Sequence, residues 1–318
     1  MAEYRHNHPD FKKTRWALEH LRQLRPRTAL FENVPNFTSG NTIAGTSHIK
    51  EFCQEARSIG YSVAWDLMDL APWVVANSKR VYIWCIDAGM GIPAEDAKTL
   101  AKKIQATRAN VGPPAPLSSC WISPMDLHMC EGIIVQERPC QPQLETDGEG
   151  SNWRRQAQEV RRAWAAKGRE TWIHSQAWTA PAQGSPPLLR GLPQPVTQRR
   201  RELIDLGYLW SCCDLGLSPA SAASRSRAAA GLIVDTSQNP DRQPWSRGLR
   251  RLCRTSRPYI YELNRGMHPL EGFRAFGWRI VSLQSVAPTA ATWDLLGDSM
   301  ALQTLAVSLQ ALISAAQI

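Results

Sequence analysis

No uninterrupted apolar run in the chain reaches about 18 residues, so a membrane-spanning helix and a membrane partner are not expected. The nearest approach, MALQTLAVSLQALISAAQI (300–318), is broken by Gln303, Ser308, Gln310 and Ser314. Charges run through the first 20 residues, which argues against a secretory leader. There is no internal repeat, and the eight cysteines form no CxxC pair. Cys120, His128, Cys130 and Cys140 lack zinc-ligand spacing, so no metal is expected. Cys212 and Cys213 are adjacent and poorly placed to bridge each other; the scattered thiols read as reduced and intracellular. What remains is 318 residues, 43% hydrophobic, with 13 Trp. That is enough apolar surface for one large domain or two modest ones, and it excludes a wholly disordered chain.

Lysine is scarce, at 8 against 29 Arg, and the net charge is +9. Residues 151–270 hold 19 Lys+Arg against 8 Asp+Glu, a balance of +11, while the rest of the chain is at −2. Guanidinium forks suit phosphates and guanine edges, so the second half is a candidate nucleic-acid surface. A solvated, arginine-biased surface is the competing reading.

Periodicity predicts a helix over 11–25, with Ala17, Leu18, Leu21 and Leu24 on one stripe and Pro26 as a stop. TALFENV (28–34) reads as a buried strand whose end opens at Glu32 to Pro35. A second helix is expected over 47–59, with Ile49, Phe52, Cys53, Ala56 and Ile59 on one face and Gly60 as its cap. Strands are expected over 61–70 and 80–86. Helix, strand, helix, strand, strand is half of an α/β sheet. Beyond 110 the texture turns rich in Pro, Gly and Ser at 111–119, 141–151 and 179–196, with a Trp-bearing helix between (Trp153, Ala157, Val160, Trp164). A strand is expected near 231–237, and a compact texture returns from 257.

Four stretches, in order, resemble the cytosine-5 DNA methyltransferase family. FENVPNF (31–37) matches the ENV strand-end motif, and WVVANSKRVYI (73–83) resembles GVPQxRxRVF. HPLEGFRAFGW (268–278) resembles TPREcaRLQGFP, with Glu271, Arg274 and Gly277 in register. LLGDSMALQTLAVSLQALI (295–313) resembles the closing IGNSVPP motif and its helix. The resemblance covers 12–90 and 231–318, and VDTSQ (234–238) looks like the end of the family's target-recognition region.

The resemblance implies an α/β fold, a partial Rossmann-like sheet of an S-adenosylmethionine-dependent methyltransferase carrying a basic, irregular target-recognition-like insertion. The implied divisions are 1–110 and 257–318 for the catalytic core and 111–256 for the insertion. Carbon 5 of cytosine becomes nucleophilic only when a thiolate adds to carbon 6, and that addition needs support at the ring nitrogen. Glu32 would meet the Watson–Crick edge of an extruded cytosine, and Arg80 would orient the base. The two side chains are expected to converge. Asp298 and Ser299 fall where the family's Asn-Ser helps close the cofactor pocket.

The departures are specific. No DxFxGxG turn occurs, and the 31 residues before Glu32 contain no cysteine. Ala76 replaces Gln and Ser78 the first Arg of the QxRxR motif, and Asp298 replaces Asn. Pro139-Cys140-Gln141 spells the catalytic tripeptide, but PQLETDGEG follows it where Phe-Ser is expected, so Cys140 reads first as a loop cysteine and only secondarily as a nucleophile. The expectation is a truncated, split or inactive methyltransferase-like protein acting on double-stranded DNA, with a possible complementing N-terminal half and a nuclear or nucleoid location. The alternative is a catalytically dead DNA-binding protein on the same fold. No feature selects RNA.

Overall fold

A computed structural model of the protein describes residues 9–39, 47–69, 71, 73, 76–77, 79–110, 116–122, 152–166, 178–179, 197–219, 222–250, 252–253, 255–278, 292–293, 295–296 and 302–317. In chain order the helices of seven residues or more among the described residues are α1 (Pro9–Leu24), α2 (His48–Ile59), α3 (Ala94–Ala109), α4 (Asn152–Ala165), α5 (Gln198–Asp214), α6 (Ala222–Ala229), α7 (Pro269–Ala275) and α8 (Leu302–Ala316). The strands that build the sheets discussed below are β1 (Thr28–Asn33), β2 (Tyr61–Asp69), β3 (Lys79–Asp87), β4 (Leu232–Asp235), β5 (Trp245–Arg247), β6 (Pro258–Ile260) and β7 (Arg265–Gly266). The expected loops at 141–151 and 179–196 lie outside the described residues apart from Thr179, as do Cys140, Asp298 and Ser299, whereas the end of 111–119 enters a 3-10 helix, Leu117–Cys120. Among the described residues no helix is long and apolar enough to cross a membrane.

The chain divides into two compact units, 1–114 with 300–318, and 115–299. In the first, three strands pair in the order β1-β3-β2, and β3 runs antiparallel to both neighbours. Every residue of β3 from Arg80 to Ile86 is buried, as befits a central strand covered on both faces. Its alternation sorts those faces. Val81, Ile83 and Cys85 pack with Leu18 and Leu21 of α1 and with Ile49, Phe52, Cys53 and Ala56 of α2. Tyr82, Trp84 and Ile86 pack with Ala94, Ala97 and Ala101 of α3 and with Ala311 and Leu312 of α8. Leu24, expected on the buried stripe of α1, is instead 70% exposed at the helix's last position. Gly60 closes α2 at φ 108°, donating its N–H to Ala56 O and Arg57 O, a backbone geometry that favours glycine.

The second unit is built around α5, buried from Leu203 to Leu209 without a break. Against it lie β4, Trp178, Tyr259 and Tyr261, with α4 entering through Ala157. The sheet here has the order β5-β4-β6-β7, with every pair antiparallel. The architecture is therefore mixed α/β with small antiparallel sheets. The motif pattern joined 257–318 to the catalytic core, whereas only 300–318 packs there. Residues 257–299 group with 115–256 because β6 pairs with β4 and because Glu271 of α7 bonds to Ile122 N at 2.8 Å.

Candidate functional site

Residues directly opposite in an antiparallel pair share a face. Glu32 lies opposite Tyr82, and Tyr82 lies opposite Asp66. Arg80, two residues before Tyr82, therefore points the same way and sits diagonally from Glu32. The structure brings these two together: Arg80 Nε lies 2.6 Å from Glu32 Oε1. The Arg80 side chain is 6% exposed and that of Glu32 21%, so the carboxylate is the member that reaches solvent. Arg80 Nη1 also donates to Lys79 O at 3.1 Å, which fixes the guanidinium from its own strand.

Tyr82 completes the row, and only the register reveals it. Its hydroxyl donates to Thr304 Oγ1 of α8 at 3.0 Å. Burial pushes the phenol up to about 12, the Glu32 carboxylate acts in the same direction, and the Thr304 hydrogen bond opposes both. At neutral pH Tyr82 is a neutral donor behind the ion pair. The alternation Arg80, Tyr82, Trp84 was the available signal, but it required knowing that β1 is a neighbour.

Asp298 and Ser299 lie outside the described residues. Among those described, a glycine-bearing turn does follow a strand, at Asp87-Ala88-Gly89-Met90-Gly91, where the Asp87 carboxylate accepts from Gly89 N at 2.9 Å. It stands at the far end of β3, seven residues from Arg80, or about 24 Å at the rise of an extended strand. The turn therefore stands apart from the Glu32–Arg80 pair.

Two further motif residues, Glu271 and Arg274, are tied to their own unit by hydrogen bonds. Glu271 is fully buried and accepts Arg265 Nη2 at 2.6 Å, Arg265 Nη1 at 2.9 Å, Ile122 N at 2.8 Å and His268 N at 2.8 Å. Arg274 Nη1 donates to Trp121 O at 3.2 Å. The charge of the second unit also divides. Arg161 is held by Glu202, Arg199 by the Ser237 and Gln238 carbonyls, and Arg265 by Glu271. Arg155, Arg162, Arg201, Arg227, Arg242 and Arg250 are exposed. The formal balance of 151–270 therefore includes guanidinium groups engaged within the unit and others exposed to a partner. Compared with known proteins, the chain matches no family model, and no curated protein matches it.

Proposed function

We propose that the first unit is the base-recognising part of a DNA (cytosine-5) methyltransferase-like fold, and that the chain binds double-stranded DNA without itself transferring a methyl group. The observation that carries this reading is the Glu32–Arg80 pair, a part-exposed carboxylate held at the end of β1 by a buried guanidinium. A carboxyl group there can hydrogen-bond the Watson–Crick edge of an extruded cytosine, and Arg80 acts as its positioning residue. The sheet covered by helices on both faces is compatible with a partial Rossmann-like sheet. The exposed arginines of α4 and α5 supply phosphate contacts.

S-adenosylmethionine is the methyl donor this reading implies, and it supplies an electrophilic methyl group when bound. The departures at Ala76, Ser78 and Asp298 from the family's motifs favour the binding protein over the enzyme, and a complementing chain would bring the glycine-rich turn and the thiolate.

Fluorescence anisotropy with duplexes carrying either an unpaired cytosine or an abasic site tests the reading. The cytosine duplex should bind about tenfold tighter, the worth of one hydrogen bond to a charged group. Both affinities should fall with salt, with a log–log slope near −0.9 for each phosphate neutralised. Glu32→Gln should remove the cytosine preference and leave the salt slope intact. Equal binding of the two duplexes, or no duplex binding, overturns the proposal. Methyl transfer by the chain alone would overturn its inactive form, and loss of that transfer in Cys140→Ser would make Cys140 the nucleophile.

A further inference from the structure

The second unit contains a cavity of about 420 Å³, within the usual size range of small-ligand sites. Two matching helix faces build it. Helix α4 contributes Val160, Ala163 and Trp164, and α5 contributes Trp210, Cys213 and Asp214. Each set has i, i+3, i+4 spacing and so forms one side of its helix. Arg161 and Glu202 clamp the helices with bonds of 2.6 and 3.0 Å, and Arg154 Nη2 donates to Gln198 Oε1 at 3.1 Å. Gln243 and Trp245 close the cavity from the sheet side.

Three indoles therefore surround one space. Trp245 is 2% exposed and meets Trp164 edge to face, with centroids 5.9 Å apart at 62°. Trp164 and Trp210 are half-buried and line the same cavity. The charged wall is Asp214, the last residue of α5, so its carboxylate adds to the negative end of that helix's dipole. Arg247 Nε stands 3.6 Å from Asp214 Oδ2, while its Nη groups donate to Ala230 O and Ser211 Oγ. That ion contact is long, and the Asp214 side chain is 49% exposed, so its carboxylate is hydrated.

Ring faces and a carboxylate together repel an anion, and a plain hydrocarbon would strip water from Asp214 without replacing it. A compact, weakly hydrated cation satisfies both walls, and methyl groups on it bury apolar surface against the indoles. We propose that this pocket binds a methylated ammonium group, either of a free choline-like molecule or of a methylated lysine side chain. The proposal does not rest on the methyltransferase reading.

Isothermal titration of the full chain tests it with four probes: choline, its neutral isostere carrying a tert-butyl group, a trimethyllysine peptide, and the unmodified peptide. At least one methylated ammonium probe should bind roughly tenfold tighter than its uncharged or unmethylated counterpart. Tighter binding of choline assigns the site to a free ligand, and tighter binding of the peptide assigns it to a modified protein. Trp210→Ala and Asp214→Asn should each weaken binding by about tenfold, while Trp210→Phe keeps most of it and all three keep the thermal midpoint of the parent. Glu32→Gln should leave this binding unchanged, which separates its failure from that of the DNA reading. Equal binding of the tert-butyl isostere and choline together with equal binding of the two peptides, or no binding of either ammonium, overturns the proposal.

Discussion

Glu271→Ala is the most demanding test of the second unit. The carboxylate is fully buried and receives four donors on two oxygens: the Arg265 fork, Ile122 N and His268 N. Removing it leaves a guanidinium only 14% exposed and two amide groups without their acceptor. Breaking one side of a buried ion pair costs about 3–5 kcal/mol, and each orphaned buried donor adds about 1–3 kcal/mol, with strong non-additivity. A loss of about 4 kcal/mol or more is expected, a large share of a domain's usual stability. Arg265→Met should cost a comparable amount, about 3–5 kcal/mol, because it strands a fully buried carboxylate on two amide donors. The double variant Arg265→Met with Glu271→Leu should be less damaging than the sum, with a coupling of about 2 kcal/mol. Two units need not unfold together, so hydrogen exchange across 258–276, read against 79–87 as an internal reference, is the suitable assay. A cost below about 1 kcal/mol for Glu271→Ala would refute the structural role, and unchanged folding with lost DNA binding would return Glu271 to the ligand.

Two further predictions follow from the same unit. Asp205 accepts Trp178 N at 2.7 Å, Thr179 N at 2.9 Å and Thr179 Oγ1 at 2.6 Å, yet burial outweighs these bonds and pushes its carboxyl above the usual range. A raised native value means the folded state holds the proton more tightly. The stabilisation is then full below the ordinary value of about 3.9 and is lost as pH rises through the native one. The difference in stability between the parent and Asp205→Asn should change in that direction across acid pH, and a flat difference would refute it. Gly207 lies in α5 where an added Cβ would come 2.5 Å from the Tyr261 hydroxyl, which bonds to Ile204 O. Gly207→Ala should therefore destabilise by about 2–4 kcal/mol despite alanine's better helix propensity, and a gain in melting temperature would overturn that packing argument.

Much of the first unit was legible in the sequence because its elements advertise themselves. Ile49, Phe52, Cys53 and Ala56 form a clear stripe with Gly60 at its end, and β3 is apolar on both faces. Helix α3 was passed over because its buried stripe is Ala94, Ala97 and Ala101, too small to stand out among charges. Helix α5 was missed for the opposite reason: it is buried on nearly every side, so no periodic contrast exists to detect. The approach of Glu32 to Arg80 depends on β1 pairing with β3 across an intervening helix and strand. No local pattern specifies that neighbour, and the Trp-walled pocket likewise depends on the α4–α5 packing.

Helix α8 covers Tyr82, Trp84 and Met68 through Thr304 and Ser308, with contacts of 3.0, 3.1 and 3.4 Å to residues more than 200 positions earlier. On the ribosome, residues 115–299 must emerge between the sheet and this cover. At about 5–20 residues per second the nascent sheet waits roughly 10–40 s with that face covered by α3 alone. The inserted unit can mature during that interval, while the enclosing one stays a client for chaperones until translation reaches the final turn of α8.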